Sequence, residues 1–289
     1  MKTQEFNREL DQAREAGPVK DIVIPPCPHL LVRLQQELNQ ADPDPRSVAE
    51  IASSDVAMSA ALIRIANSPL YARREPVNSV AQAISMLGVR PTAHVLTGFL
   101  LRNSIRIDPT LIEHFWESST RRSMAMGHIA TQMYGIDVNV ARTCGLFFHV
   151  GIPVMLQGVR GYSGTLVEAM ARQDRTFVQT ENAAHRTDHA VVGAIVAKTW
   201  RLPQVITHAV RLHHDFAALS DSALPQDVRN LVAIAAIADH LVACHEGIKA
   251  QREWEKHGQE CLSFLEIGQT EVEAWVDALY PVFESVVVA

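Results

Sequence analysis

The chain has 289 residues, 47% of them hydrophobic and 20% charged, and it carries a formal net charge of −6 at pH 7. A chain of this length buries roughly 75% of the surface that it exposes when unfolded, so the composition predicts a globular protein with a large core. The negative charge and the lack of a basic stripe argue against nucleic acid and anionic membranes as partners.

The N-terminal segment and the apolar windows predict a cytoplasmic protein. The first segment, MKTQEFNRELDQAREAG, is charged and lacks the apolar core of a signal peptide. The longest apolar windows, such as NLVAIAAIA, fall short of the ~18 residues that a membrane span requires. The four cysteines form no C-x-x-C pair, which favours buried reduced thiols.

Apolar residues recur at helical spacing almost throughout, and no long stretch alternates as strands do. Residues 1–19 predict a peripheral helix with Phe6 and Leu10 on one side. VIPPCPHL predicts an extended segment, because each proline disfavours a helical conformation of the residue before it. Residues 20–105 predict four or five short helices, and residues 106–245 predict a second set.

Helix starts are marked by residue pairs that fit the capping box, in which two side chains satisfy free backbone N–H groups. The predicted pairs are Ser47 with Glu50, Ser79 with Gln82, and Thr270 with Glu273. Gly88 and Gly135 predict helix ends.

Residues 246–289 predict a C-terminal helical extension. Its apolar residues at helical spacing are Val272, Trp275, Val276, Leu279, Val282 and Phe283. We expect one amphipathic helix that Pro281 bends or ends early. Its apolar face either packs on the core or forms the contact of a homodimer.

The second half of the chain is rich in residues that could bind a metal ion. The candidates are His149, Asp188, His189, His208, His213, His214 and Asp239. Several also suit purely structural roles: Asp188 suits a helix N-cap, and cationic His213 and His214 suit a helix C-terminus. Asp239 lies in the apolar segment IAAIADHL, and a buried carboxylate there needs a partner.

The segment NSPLYARREPVNS predicts an unusual stiff loop. Asn67, Ser68, Tyr71, Arg73 and Arg74 lie in it, and the aromatic and basic side chains could recognise an anion or a partner carboxylate. The alternative is a loop in which Tyr71 packs inward while the arginines are solvated.

Several blocks together resemble the HDOD family, the HD-related output domain of bacterial signalling proteins. They are IPPCPHLLVRLQQEL, the block from VAEIASSDV through the A-N-S turn to ISMLGV, and, in order, HFWESS, GLFFHVG, DHAVVGAIVAKTWRLP, VRLHH and IADHLV. The resemblance covers residues 20–245. It implies an all-α fold in which an N-terminal helical bundle (20–105) packs on a half related to HD-type metal phosphohydrolases (106–245).

The resemblance also implies that the metal-binding motif is degenerate. GLFFHVG aligns with the hydrolase pattern G-L-L-H-D-I-G, so Phe148 takes the histidine position and His149 the aspartate position. Ser118 stands where the first histidine is expected. Residues that remain at plausible ligand positions are His149, His189, His213, His214 and Asp239.

We therefore expect a non-enzymatic signalling module without a cofactor, which contacts another signalling protein in trans. We expect an apolar helix that packs Phe147 or Phe148 into the former site, with His149 held by a hydrogen bond. One alternative is a metal-dependent phosphohydrolase that uses the remaining ligand positions to hold Mn, Fe, Mg or Zn. Another is a nucleotide or small-molecule sensor that uses the former active-site cleft, with phosphates bound by Arg73, Arg74, Arg121 or Arg122.

Overall fold

A computed structural model describes residues 2–15, 17–68, 71, 76–105, 109–172, 174–248 and 251–286, without the side chains of 2–4 and 109–113. These residues form sixteen α-helices and a short 3-10 helix (Phe216–Ser220), with no strand among them, as predicted. The α-helices are α1 (Lys2–Glu15), α2 (His29–Leu38), α3 (Pro45–Ser53), α4 (Val56–Ala66), α5 (Val80–Leu87), α6 (Val89–Ser104), α7 (Pro109–Thr131), α8 (Val138–Phe147), α9 (Gly151–Gly158), α10 (Tyr162–Ala171), α11 (Phe177–His185), α12 (His189–Thr199), α13 (Gln204–Leu212), α14 (Gln226–His245), α15 (Arg252–Leu265) and α16 (Gln269–Glu284).

The N-terminal half consists of the five short helices α2–α6, as the periodicity predicts. Ser79 caps α5 by accepting a hydrogen bond from the Gln82 backbone N–H, so the predicted N-cap is confirmed. The Gln82 side chain accepts from the Asn78 N–H and not from Ser79, so the reciprocal bond of the predicted capping box was wrong. The cap predicted at Ser47 was wrong, because α3 begins earlier, at Pro45, and Asp44 caps it. Proline suits the first helical turn, which lacks partners for its N–H groups anyway.

The described residues of α1 and the proline-rich segment before α2 contact the HD-like half (106–245). Leu10 of α1 is buried, and Asp11 forms an ion pair of 2.5 Å with Lys198 of α12. The Trp200 indole N–H donates a hydrogen bond of 2.8 Å to the carbonyl of Pro25 in the proline-rich segment. The start of the chain therefore covers the half that carries the histidines.

Two glycines allow helices of the HD-like half to approach each other closely. A Cβ added at Gly145 of α8 would lie 2.5 Å from Cα of Ser123 in α7. A Cβ added at Gly151, the first residue of α9, would lie 2.0 Å from the carbonyl oxygen of His189 in α12. The backbones meet directly at these points, so both positions require glycine on steric grounds.

The C-terminal extension contains two helices: α16 is the predicted amphipathic helix, and α15 before it was not predicted. Glu266, with a φ of 57°, separates α15 from α16. Gly268 precedes α16 and donates its N–H to the Glu271 carboxylate, so the cap predicted at Thr270 was also wrong. Pro281 neither ends nor shortens α16, which continues to Glu284 because Phe283 beyond it is buried. The apolar face of α16 packs on α14 of the same chain.

Two segments reach the length and mean hydropathy of a membrane span, so the prediction that none does was wrong. They are Val138–Gly158 and Gln226–His245, and α5 with α6 would be a third if this pair, bent by 119°, were one span. Within the fold, 61% of the first window and 56% of the second are buried.

We expect Gly145→Ala to lower the free energy of unfolding by about 1–3 kcal/mol, because the added methyl group overlaps backbone atoms of α7. Urea denaturation followed by circular dichroism measures this change. Gly164→Ala in α10 is the matched control, since its added Cβ meets no atom within 4 Å. The control should be neutral or stabilising by up to about 1 kcal/mol, and equal destabilisation by both would contradict the steric argument.

Candidate functional site

Four imidazole rings converge at one point of the HD-like half. One nitrogen of each of His149, His189, His213 and His214 lies within 4.8 Å of the others, and we call this set the histidine cluster. Nε2 of His189 is close to a nitrogen of each of the other three rings, and it lies 3.1 Å from Nδ1 of His149. The same atom lies 3.0 Å from Nε2 of His214 and 3.3 Å from Nε2 of His213.

Local features of the chain place these rings. Asp188 caps α12 by accepting a hydrogen bond from the Val191 N–H, as predicted, so that His189 is the first residue of the helix. His149 lies in the short turn between α8 and α9, two residues before Gly151, where α9 touches the backbone of His189. His213 caps the C-terminus of α13.

Each ring has a hydrogen-bond acceptor at the nitrogen that points away from the cluster. Nδ1 of His189 is 2.7 Å from Glu181, Nδ1 of His213 is 2.7 Å from the carbonyl of Val210, and Nδ1 of His214 is 2.7 Å from Glu253. Nε2 of His149 is 3.3 Å from Asp239. These acceptors assign a proton to each outer nitrogen, so the inner nitrogen of each ring that is neutral points a lone pair towards the centre.

Asp239 faces the cluster through His149 and has both carboxylate oxygens engaged. Oδ1 accepts a hydrogen bond from Nε of Arg122, and Oδ2 contacts His149. Burial alone would raise the pKa of Asp239, but the Arg122 charge together with the contacts that His149 and Arg122 make to the carboxylate outweighs it and holds this pKa below its usual range. The prediction that Asp239 needs a partner is answered by Arg122 of α7.

Burial changes the protonation of the cluster. It lowers the pKa of His149 to about 3, with a further contribution from Arg122. Burial and the neighbouring imidazoles lower the pKa of His213 as well, so the expectation of a cationic His213 at a helix C-terminus was wrong. Burial also acts to lower the pKa of His214, yet the Glu253 carboxylate outweighs it and raises that pKa.

The substituted motif positions form part of the core. Phe147 and Phe148 are fully buried, and the Phe148 ring lies 5.1 Å from the His213 ring, while Phe147 packs on Trp200. Ser118 points elsewhere and donates a hydrogen bond to Glu246. His208, also a candidate, lies apart from the cluster, against Phe6.

Sequence reasoning missed the carboxylates that orient the cluster. Glu181 is fully buried in α11, a helix that was not predicted, and it also accepts a hydrogen bond from the Tyr162 hydroxyl. The signal for α11 was the capping box of Thr176 with Gln179, which the structure contains. Glu253 of α15 lies far along the sequence, and no local pattern pointed to it.

The A-N-S loop has a structural anchor at its base. The Asn67 amide donates to the carbonyl of Val77 at 2.8 Å and accepts from the Val77 N–H at 2.7 Å. Ser68 is buried, whereas Arg73 and Arg74 lie outside the described residues.

Two arginines proposed for phosphate binding are engaged within the fold. Arg121 forms ion pairs with Glu117 and Glu246, and Arg122 pairs with Asp239. Each of the two guanidinium groups therefore has a carboxylate partner within the described part of the chain.

The histidine cluster fits a divalent transition-metal ion. Imidazole suits Zn²⁺, Fe²⁺ or Ni²⁺, whereas Mg²⁺ prefers oxygen ligands, so the donor set argues against magnesium. With metal–nitrogen distances of about 2.0–2.1 Å, the nitrogens of a tetrahedral site lie about 3.3 Å apart. The three distances from Nε2 of His189, 3.0 to 3.3 Å, are close to that value. Acceptors on the outer nitrogens are the usual second layer of a metal site.

Solved structures with the same fold come from several bacteria. An HDOD domain protein of unknown function from Geobacter sulfurreducens is 22% identical, with a TM-score of 0.70 over 96% of both chains. A proposed phosphohydrolase from Shewanella amazonensis SB2B is 17% identical, with a TM-score of 0.72 over 97% of this chain and 96% of that one. A proposed signal transduction protein from Marinobacter aquaeolei VT8 is 16% identical, with a TM-score of 0.71 over 98% of this chain and 66% of that one.

A curated relative and a family model extend the comparison to sequence. An uncharacterized protein of Treponema pallidum (strain Nichols) is 21% identical over 247 residues, and the match covers 84% of this chain but 46% of the relative. This chain therefore spans about half the length of that relative. The model of the HDOD domain matches residues 24–216, which include the A-N-S loop and all four residues of the histidine cluster. The chain belongs to the HDOD domain family.

Proposed function

We propose that the protein is a non-enzymatic regulatory module of bacterial signal transduction, which acts in the cytoplasm through contacts with another signalling protein. HDOD domains occur in signalling proteins. The observation that carries the proposal is the closed arrangement of the histidine cluster. Four imidazole nitrogens lie around one point, and Phe148 is buried beside them.

A closed donor set is suited to holding a cation and not to hydrolysis. A catalytic zinc site has three protein ligands and an open position for water, whereas a structural site has four protein ligands. The histidine cluster supplies four nitrogens, so a tetrahedral ion bound by all of them has no position for the attacking water. A cation would then fix α12, α13 and the α8–α9 turn relative to one another.

The charges around the cluster support the same proposal. Two-metal hydrolases place two ions about 3.5–4 Å apart to stabilise the attacking and leaving oxygens. Asp239 is the retained carboxylate at the family's ligand positions, and both of its oxygens already contact Arg122 and His149. The Arg122 guanidinium thus supplies the positive charge that a second metal ion would bring.

A metal-dependent phosphohydrolase is the second candidate function. The convergence of four imidazoles favours it, because a bound ion supplies Lewis-acid chemistry if one ligand gives way to water. Turnover measurements separate this candidate from the regulatory module.

We expect no phosphohydrolase turnover above the metal-only blank with Mn²⁺, Fe²⁺ or Zn²⁺. Suitable substrates are bis(p-nitrophenyl) phosphate and cyclic dinucleotides, and the measurement is the rate at which product forms. A rate that His189→Ala abolishes, in protein that circular dichroism finds folded, would overturn the proposal. Glu168→Gln in the exposed part of α10 controls for unrelated effects of substitution.

We expect the wild-type protein to bind one Zn²⁺ per chain and Glu181→Gln to weaken this binding about 10–100-fold, because Glu181 orients His189 and increases its basicity. Competition with a chromophoric chelator measures the affinity. Glu253→Gln should act in the same direction through His214, and Glu168→Gln should have no effect. Unchanged Zn²⁺ affinity in both Glu181→Gln and Glu253→Gln would place the Zn²⁺ outside the histidine cluster.

A further inference from the structure

A cavity apart from the histidine cluster lies beside α7. Its volume is about 340 Å³, and its walls come from the end of α4, from α6, α7 and α8, and from the C-terminal part of α16. It therefore lies where the N-terminal half, the HD-like half and the C-terminal extension meet. No residue of the histidine cluster lines it.

The cavity is mainly apolar. Its apolar wall includes Val95, Leu101, Trp116, Leu146, Leu279 and Val282. Ligand pockets range over about 300–1,000 Å³.

The polar part of the wall is basic. None of the described residues that line the cavity is an aspartate or a glutamate. Arg142 of α8 lines it and forms no ion pair or hydrogen bond with any residue in the described part of the chain. The Arg142 side chain packs directly against Gly127 of α7. A Cβ added at Gly127 would lie 2.4 Å from Nε of Arg142, so a glycine at this position allows the contact.

The neighbouring polar groups leave Arg142 as the charge that a ligand would meet. Nε2 of His94 is hydrogen-bonded to Ser123 at 2.6 Å. Burial, with the nearby Arg142, lowers the pKa of His94 to about 3, so this ring is neutral at pH 7. Burial lowers the pKa of His128 as well. Arg102 also lines the cavity and has an interaction of its own.

We propose that this cavity binds a small amphipathic carboxylate, whose anionic group pairs with Arg142 and whose apolar part packs among Trp116, Leu146 and Leu279. A guanidinium that is partly buried without a carboxylate partner is suited to a planar anion, which it binds through two parallel N–H donors. The single negative charge of a carboxylate matches the charge of Arg142, the lining guanidinium without a partner among the described residues. A phosphate monoester carries about −1.5 to −2 at pH 7 and would be incompletely neutralised.

A ligand in this cavity would contact the N-terminal half, the HD-like half and the C-terminal extension at the same time. Ser123 of α7 lines the cavity, and Arg122, the residue before it, forms an ion pair with Asp239 beside the histidine cluster. The ligand would therefore touch the helix that also orders the cluster, as well as α6 and α16. Binding at this site does not depend on whether the chain is an enzyme.

Decanoate is the probe for the test, with decyl phosphate, 1-decanol and decyltrimethylammonium as headgroup variants of the same chain length. We expect decanoate to raise the melting temperature and to bind one-to-one in isothermal titration calorimetry. Arg142→Gln should weaken decanoate binding about tenfold or more, because it removes a charge-assisted hydrogen bond, and should leave decanol binding unchanged. Decyl phosphate and decanol should bind the wild-type protein more weakly than decanoate.

Two further variants test the position of the site. Gly98→Leu fills the cavity from α6, where a Cβ makes only ordinary contacts of 3.7 Å with Leu146, and should abolish binding of every decyl compound. Arg160→Gln, at an exposed position away from the cavity, is the matched control and should bind as the wild-type protein does.

Three results would overturn the proposal. They are no binding of decanoate at millimolar concentration, binding that a folded Gly98→Leu variant retains, and decyltrimethylammonium binding as tightly as decanoate. If Gly98→Leu does not fold, equal decanoate affinity in Arg142→Gln and the wild-type protein would overturn it.

Discussion

Burying four imidazole rings next to one another is possible only if they do not carry several charges and if each outer N–H group has an acceptor. The structure meets both requirements. Burial lowers the pKa values of His149 and His213, and Glu181, Val210, Glu253 and Asp239 provide the acceptors. Because α8, α11, α12, α13, α14 and α15 or the turns beside them contribute these groups, the packing of the HD-like half depends on satisfying this one cluster.

The contrast with a hydrolase lies in the charges. Where the resemblance to HD-type hydrolases implies a paired histidine and aspartate, this chain has Phe148 and His149, which would supply one ligand and one negative charge fewer. Arg122 compensates on the other side by occupying Asp239, so the retained carboxylate is neutralised by the protein itself. The large apolar surface of Phe147 and Phe148 stabilises the fold through the core.

Much of the fold could be predicted from sequence, and less of the site. Helical periodicity gave the all-α class and the five short helices of the N-terminal half, and Asp188 was recognised as a cap because capping is local in sequence. The convergence of His189 and His214 depends on how α12 and α13 pack, which spacing along the chain does not encode. Glu181 was missed with its helix, because α11 is short and only partly apolar, and the Thr176–Gln179 pair was its remaining signal. Pro281 misled the prediction, because a local rule for proline was outweighed by the burial of Phe283.

The separation of the cluster residues along the chain has a consequence for folding during synthesis. The helices α2–α6 pack mainly on one another, so they can form as soon as residue 105 has left the ribosome. The histidine cluster has to wait until Glu253 emerges, about a hundred residues after His149 has been made, since His214 otherwise lacks its acceptor. At about 5–20 residues per second, this interval lasts on the order of ten seconds, during which the apolar segment around Phe147 and Phe148 has no completed core. We therefore expect the nascent HD-like half to expose apolar surface for longer than helices α2–α6 do during synthesis.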